Sequence, residues 1–500
     1  MKSKRLICLM LCALLLTGCA AQDAPLPAAA PTLAPDSTAF AAPIGDAGLM
    51  HSTPAAYVLS SPDGQRLLYT YRDTPLDRSQ HPAEAIVSQL LKAESTAAAR
   101  AVGGSVPLSL TGVNPVEVSG GVCTVNLSAT ALQLSLQDLH SACCMLAETL
   151  CSIHGIQSVN ILIAGRPVAM DAAGFLPLGA LSASHDASLP LLWEQLAAKR
   201  TPLGEKPTAM PLTADAALYF PLTGGAGIVP ETRRLSFPGQ HPQQLVLTLL
   251  EALSAGPTAL SGVSAMPDLS AMMIAPPSVT DLSTGGKRVT LYFPEDLRSR
   301  ISALGADPAC TFAGIVYTLT TFVPALEQVC ILMGENALTS LHHPVHGSQL
   351  FPGGVLTRQA FAAYLMAQAS VYHAEGEKLH AHTVSLPYRS ARSPRALLLR
   401  LADAPPECAV LPAGLTDADI LGLSIEGDTL LINLSARYAD MIRKSAMDQR
   451  LMAYAIVNTM CDGLQIRRVR FFFGSQSVDT LGGSLIWSGE FLRTPGLIIR

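Results

Sequence analysis

Charge is what this 500-residue chain has least of: Asp, Glu, Lys and Arg together make up 14% of it, against about 25% in an average soluble domain. The net charge of −5 leaves no basic excess of the kind that tracks a phosphate backbone, so nucleic acid is excluded as a partner. Beyond Leu16 no apolar run reaches the roughly 20 residues that a membrane-crossing helix needs. CxxC and HExxH ligand spacings are missing. So is the G-x-S-x-G elbow of a serine nucleophile, because Gly474-Ser475 follows a strand without the second glycine. Apolar residues, in contrast, reach 49%, enough to fill real cores.

The residues that carry chemistry elsewhere do not assemble into a site. His342, His343 and His346, with Glu335 nearby, sit in a Pro/Gly-rich stretch, and His380 and His382 alternate. Neither group has metal-ligand spacing. Asp296, Glu295 and His140 have no partner that the sequence brings near, and acids such as Asp428 and Asp462 stand singly in turns rather than as matched pairs. Gly224-Gly225 and Gly285-Gly286 read as turns, not phosphate cradles. Arg467, Arg468 and Arg470 read as charges that blunt a strand edge. The expectation is no catalytic residue, no cofactor, no metal and no small-molecule substrate.

The N-terminus is explicit. Lys2, Lys4 and Arg5 precede the apolar run Leu6 to Leu16, and Leu16-Thr17-Gly18-Cys19 follows. This is an export signal over 1–19 that resembles a bacterial lipobox, in which the cysteine takes lipid on sulfur. Cys19 is therefore the expected lipid-attachment residue, and acyl chains on it would hold the chain to the outer face of the cytoplasmic membrane. Residues 20–56, rich in Pro and Ala, read as a tether without a core. Of the remaining cysteines, Cys123, Cys143, Cys144, Cys151, Cys310, Cys330, Cys408 and Cys461 are sparse and sit within expected strands and helices. Free thiols fit them, with a Cys310–Cys408 or Cys123–Cys151 bridge left open.

One pattern then recurs three times. VCTVNLS from Val122, RVTLYF from Arg288 and TLLINLS from Thr429 each precede a helix carrying Thr149-Leu150, Thr318-Leu319 or Thr459-Met460. A strand closing on Gly165, Gly334 or Gly474 follows each helix. Ahead of each copy lies a short apolar run (Leu67-Leu68-Tyr69, Leu218-Tyr219-Phe220, Tyr364-Leu365-Met366), then a proline-started helix after His81, His241 or Ser393. Each unit reads β-α-β-β-α-β, an α+β sandwich with helices on one face of a short sheet. Three tandem units are expected over 57–172, 213–337 and 359–481, with linkers 173–212 and 338–358 and a tail at 482–500.

These strands, the Thr-Leu pair and the closing glycine together resemble the GerMN domain, a sporulation and spore-germination module, over nearly all of residues 60 to 480. The second unit carries the motif most fully, and the third departs in its polar stretch Ala374 to His382. The resemblance implies a fold similar to ring-building motifs and no catalytic residues. It also implies a membrane-anchored extracytoplasmic lipoprotein, acting as a docking or assembly factor for other envelope or sporulation-complex proteins. Two further readings stand beside it, a solute-binding envelope lipoprotein and a regulator of cell-wall hydrolysis.

Overall fold

The computed structural model describes residues 40–172, 174–184 and 211–499. The signal segment with Cys19, much of the expected tether and most of the linker 173–212 lie outside the described residues.

The first repeat begins earlier than the sequence suggests. Strand β1 (Gly45–Ala47) and the first part of β2 (Met50–Ser60) fall within the stretch 20–56 read as tether. β2 pairs antiparallel with β3 (Leu67–Asp77) from Met50 opposite Asp77 to Ser60 opposite Leu67. Leu67-Leu68-Tyr69, expected as a lone front strand, is thus the second arm of a hairpin. Only the end of β2, through Tyr57, Val58 and Leu59, is apolar and buried, which hid the strand behind its Pro/Ala composition. Helix α1 (Pro82–Leu91) starts at the expected proline, with His81 Nδ1 accepting the Ala83 N–H at 3.3 Å, and buries Ile86, Val87 and Leu90. Strands β4 (Val116–Ser119) and β5 (Val122–Leu127), helix α2 (Leu136–Cys151), and strands β6 (Ser158–Ile163) and β7 (Arg166–Pro167) follow. They form a sheet in the order β4-β5-β6-β7. β5 and β6 are parallel, as they must be when a helix crosses between them.

The second repeat has the same order: hairpin β8 (Leu212–Pro221) and β9 (Ile228–Phe237), helix α3 (Pro242–Ser254), strands β10 (Ala275–Asp281) and β11 (Lys287–Phe293), helices α4 (Leu297–Ala303) and α5 (Pro308–Phe322), and strands β12 (Leu326–Met333) and β13 (Asn336–Ala337). The stretch read as the linker 338–358 is structured. It folds into hairpin β14 (Ser340–His343) and β15 (Gly347–Leu350), and Leu341, Phe351 and Leu356 enter the second core.

The third repeat runs through β16 (Met366–Glu375), β17 (Lys378–Pro387), α6 (Pro394–Ala402), β18 (Ile420–Glu426), β19 (Thr429–Leu434), α7 (Ala436–Lys444), α8 (Gln449–Leu464), β20 (Arg468–Phe473) and β21 (Glu490–Leu492). The polar stretch from Ala374 to His382 is the turn end of the β16–β17 hairpin. The tail adds β21 to the sheet beside β20 and brings Trp487 and Phe491 into the third core.

The architecture is α+β, as expected, but the observed unit is β-β-α-β-β-α-β-β. The front strand is a hairpin with a sheet of its own. Its second helix therefore packs on two partners, not one sheet face. α5 touches both β12 and β8, and Ala309 to Phe322 are buried on every side, as a helix apolar all round must be.

Three hydrophobic cores correspond to the three repeats, with Val122 of the first repeat's sheet crossing into the second core. The repeats do not hang apart: Ala42–Arg500 form one compact unit. β1 pairs in parallel with β18, Gly45 opposite Gly422, so the start of the described chain closes onto the third repeat.

Candidate functional site

The first and second repeats meet at a buried ion pair. Alternation along β4 sends Val116 and Val118 into the first core and leaves Glu117 on the sheet's other face. That face is covered by the second repeat. Glu117 accepts hydrogen bonds from Arg358 Nε at 3.2 Å and from Arg358 Nη2, and from the Tyr317 hydroxyl at 3.3 Å. The Arg358 guanidinium donates also to Thr321 and stands 4.0 Å from the centroid of the Tyr317 ring. Burial alone would lower the Arg358 pKa, but the Glu117 charge outweighs it and holds the guanidinium above its ordinary range. Burial, then Glu117, push the Tyr317 phenol well up. The guanidinium is charged and the phenol neutral. Taking such a pair out of water costs much of what its mutual attraction returns.

Above this pair opens a cleft of about 510 Å³. The first repeat supplies Thr124 and Asn126 from β5, the turn at Ala164-Gly165 and the loop at Thr111 to Asn114. The second contributes Glu327 and Gln328, and the 3₁₀ segment before β16 contributes Arg358 and Gln359. Glu327 is neutralised by Arg166 at 2.6 Å. The cleft is thus electrically balanced and lined by amides and hydroxyls.

The histidines weighed in the sequence part company. His380 and His382 lie side by side on β17 at 3.4 Å and join no wider donor cluster among the described residues. Glu335 and His342 are exposed. His343 is buried against two residues that sequence spacing does not connect to it, Asp307 and Cys310 at the start of α5. The donor atoms of these three lie within 4.8 Å of one another. The hydrogen bonds decide what this group does. His343 Nδ1 accepts the N–H groups of Val345 and His346 at 3.2 and 3.1 Å, so its proton is on Nε2, which donates to the Gly225 carbonyl at 2.7 Å. A neutral imidazole with both nitrogens so engaged has no lone pair for a cation. Asp307 caps α5 by accepting the Cys310 N–H at 2.9 Å, and burial pushes the Cys310 thiol far up. The cluster pins the β14–β15 hairpin to the Gly225 turn.

Other singled-out positions have structural tasks. Thr149, Thr318 and Thr459 each bond a strand of the front hairpin. Gly165, Gly334 and Gly474 form the tight turns after β6, β12 and β20, all at positive φ. Asn126 and Asn433, which recur at one position in the strands VCTVNLS and TLLINLS, brace these turns. Their side-chain oxygens accept the N–H of Gly165 at 2.8 Å and of Ser475 at 3.0 Å. Arg468 pairs with Glu490 at 3.3 Å, and Asp462 with Arg493 at 2.6 Å. The eight cysteines within the described residues are unbridged.

Among known proteins, the family model Germane, described as sporulation and spore germination, matches residues 56–169 and 370–479. These are the first and third repeats; the second, which carries the sequence motif most fully, has the same element order but is not matched. The tandem GerMN domains of the sporulation protein GerM from Bacillus subtilis align at 18% identity, covering 57% of this chain and 92% of that one, with a TM-score of 0.21. A candidate lipoprotein from Clostridium perfringens aligns at 20% identity over 27% of this chain and 93% of its own, with a TM-score of 0.18. None of the curated proteins matches.

Proposed function

We propose, from the match of the Germane sporulation and spore germination model to residues 56–169 and 370–479, that the chain is a lipid-anchored, non-enzymatic docking protein of the cell envelope. Cys19 is its lipid acceptor, on the outer face of the cytoplasmic membrane. The middle repeat is a third, divergent copy of the same domain. No helix among the described residues is long and apolar enough to cross a membrane.

The observation that carries the docking reading is a difference between three equivalent sheet edges. The outer edge of β18 is filled by β1. That of β4 is buried, with Ser119 Oγ donating to the Met366 carbonyl of β16. The edge of β10, in the middle repeat, has no strand beside it among the described residues and is half exposed. Pro276 and Pro277 lack an N–H and sit at the break in register, so the template for strand addition is the stretch from Ser278 to Asp281. We assign it to a strand of another envelope protein of the sporulation or germination machinery.

Two experiments test this. A photo-crosslinking residue at exposed Thr280 on β10 should give a discrete adduct with an extracytoplasmic protein in intact cells, and one at exposed Arg300 on α4 should not. Adducts from Arg300 alone would sink the edge as the docking surface. Cys19→Ala should move the protein out of the detergent-extractable membrane fraction, and unchanged fractionation would remove the anchor.

A further inference from the structure

The cleft between the first two repeats does not depend on the docking reading and has a chemistry of its own. We propose that it binds a neutral N-acetylated sugar, with the acetamido carbonyl and ring hydroxyls held by side chains from both walls.

Its size lies within the range of about 300–1,000 Å³ typical of small-molecule sites, at about 510 Å³. Two of its amide side chains are held so that their donors are free. Asn126 has its oxygen occupied by the Gly165 N–H at 2.8 Å, which leaves Nδ2 unengaged on the first-repeat wall. Gln328 has its oxygen occupied twice by Arg288, at 2.9 and 2.7 Å, which leaves Nε2 on the opposite wall. Each amide is fixed by its carbonyl and presents its NH₂ as a preorganised donor. Such groups select acceptors, a carbonyl oxygen with its two lone pairs among them, and their preorganisation lowers the cost of binding.

Between these walls lies Thr124. Only 3% of it is exposed, yet its hydroxyl makes no side-chain hydrogen bond among the described residues and lines the cleft. A hydroxyl can both donate and accept, which matches a sugar hydroxyl. Asn114 and Gln359 border the cleft with their amides equally uncommitted.

Charge argues in the same direction. Arg358 is neutralised by Glu117 and Glu327 by Arg166, so the site offers no net charge to a phosphate, a carboxylate or an amine. An extended peptide is disfavoured because β5, the strand that lines the cleft, is already paired with β4 on one side and β6 on the other. Among the described residues no aromatic ring lines the cleft, so recognition rests on hydrogen bonds and the affinity will be modest.

The test is calorimetric titration of the whole chain in detergent micelles. N,N′-diacetylchitobiose is the probe, cellobiose the hydroxyl-only control, and an alanine tripeptide the peptide control. Chitobiose is expected to saturate with a dissociation constant of about 1 mM or below, and cellobiose to bind roughly tenfold more weakly for want of the acetamido carbonyl. Thr124→Val, which keeps the shape of the side chain, should weaken chitobiose by roughly three- to tenfold. The double variant Asn114→Ala with Gln359→Ala, at one half-buried and one exposed position, should weaken it similarly with the fold kept. No saturable binding, equal binding of chitobiose and cellobiose, saturation by the tripeptide instead, or chitobiose binding unmoved by both variants would each overturn the proposal. The crosslinking from β10 reads a different surface, so neither experiment's failure bears on the other.

Discussion

Thr318 Oγ1 accepts a hydrogen bond from the backbone N–H of Tyr219 at 2.9 Å, tying α5 to the front hairpin of the second repeat. The bond recurs between Thr149 and Val58 at 2.9 Å and between Thr459 and Tyr372 at 3.2 Å. All three threonines are completely buried. Each hairpin lays a strand against a helix, and a strand N–H aimed at a helix has neither a ladder partner nor water. A side-chain acceptor on the helix must supply what the ladder does not. In the second repeat Gly314 lets the strand come closest, since a Cβ there would stand 2.5 Å from the Tyr219 carbonyl oxygen.

Thr318→Val keeps shape and removes the acceptor, leaving a buried N–H unsatisfied. It should cost about 1–3 kcal/mol, and Thr318→Ser should recover most of that. Chemical denaturation of the three proteins measures it. Equal stability of wild type and Thr318→Val would show that the bond is incidental to the hairpin's position.

The same threonines explain what the sequence made legible. The Thr-Leu pair, the strand pattern around Val122, Val289 and Leu430, and the closing glycines mark the second half of each repeat because α+β packing there is local and periodic. The front halves are not legible in the same way. Leu67-Leu68-Tyr69 is apolar and resembles Leu218-Tyr219-Phe220, whereas the counterpart of Tyr219 is Val58, identified by its bond to Thr149. Apolar runs give no register when hairpin arms pair only with each other. The cleft was invisible for a related reason: Thr124, Asn126 and Gln328 sit on sheet faces that read as solvent-facing, and only packing of one repeat on the next turns them into walls. Asp307 and Cys310 lie more than 30 residues from His343 in sequence, so no spacing rule brings them together.

The ion pair between Glu117 and Arg358 is the second test. Arg358 has 12% and Glu117 7% of its side chain exposed, so Arg358→Met leaves a carboxylate buried without its cation. A loss of about 3–5 kcal/mol is expected. Adding Glu117→Gln should restore part of it, because a neutral amide can stay hydrogen-bonded to Tyr317. A double-mutant cycle by thermal unfolding decides the matter. Additive losses would mean that the two residues do not act on one another.

Closure of β1 on β18 depends on a glycine. A Cβ on Gly422 would stand 2.4 Å from the Pro43 carbonyl oxygen and 2.7 Å from that of Gly45. The strand is held further by the Asn433 side chain donating to the Pro43 carbonyl at 2.9 Å and by Arg395 gripping Asp46 at 2.7 and 2.9 Å. Gly422→Ala should release β1 while the third core remains folded. Amide exchange should then speed up at residues 44–48 and along the outer edge of β18, with α8 still protected. Protection unchanged at 44–48 would show that the contact tolerates a side chain.

Acid should destabilise the chain in two stages, and the sign follows from which state binds the proton. Burial, helped by Arg392, lowers His81 from 6.5 to about 3, and burial lowers His140 to about 4 against a hydrogen bond with the Met170 backbone. Below pH 6.5 the unfolded chain protonates these imidazoles before the folded one does, so stability falls as pH drops towards 4 and 3. Glu231 acts lower. Burial would raise its carboxyl, but hydrogen bonds from Thr258, Ala259 and Arg233 outweigh that and hold it at about 2, below the ordinary 4.5. Its contribution is whole above pH 4.5 and is lost as pH falls from there to about 2. Denaturation midpoints measured across this range should decline throughout. His81→Gln with His140→Gln should flatten the decline between pH 6.5 and 4, and Glu231→Gln only the part below 4.5. A double histidine variant that declines as steeply as wild type would mean that both imidazoles reach water in the folded protein, and that the α1 cap and the buried face of α2 are looser than their packing indicates.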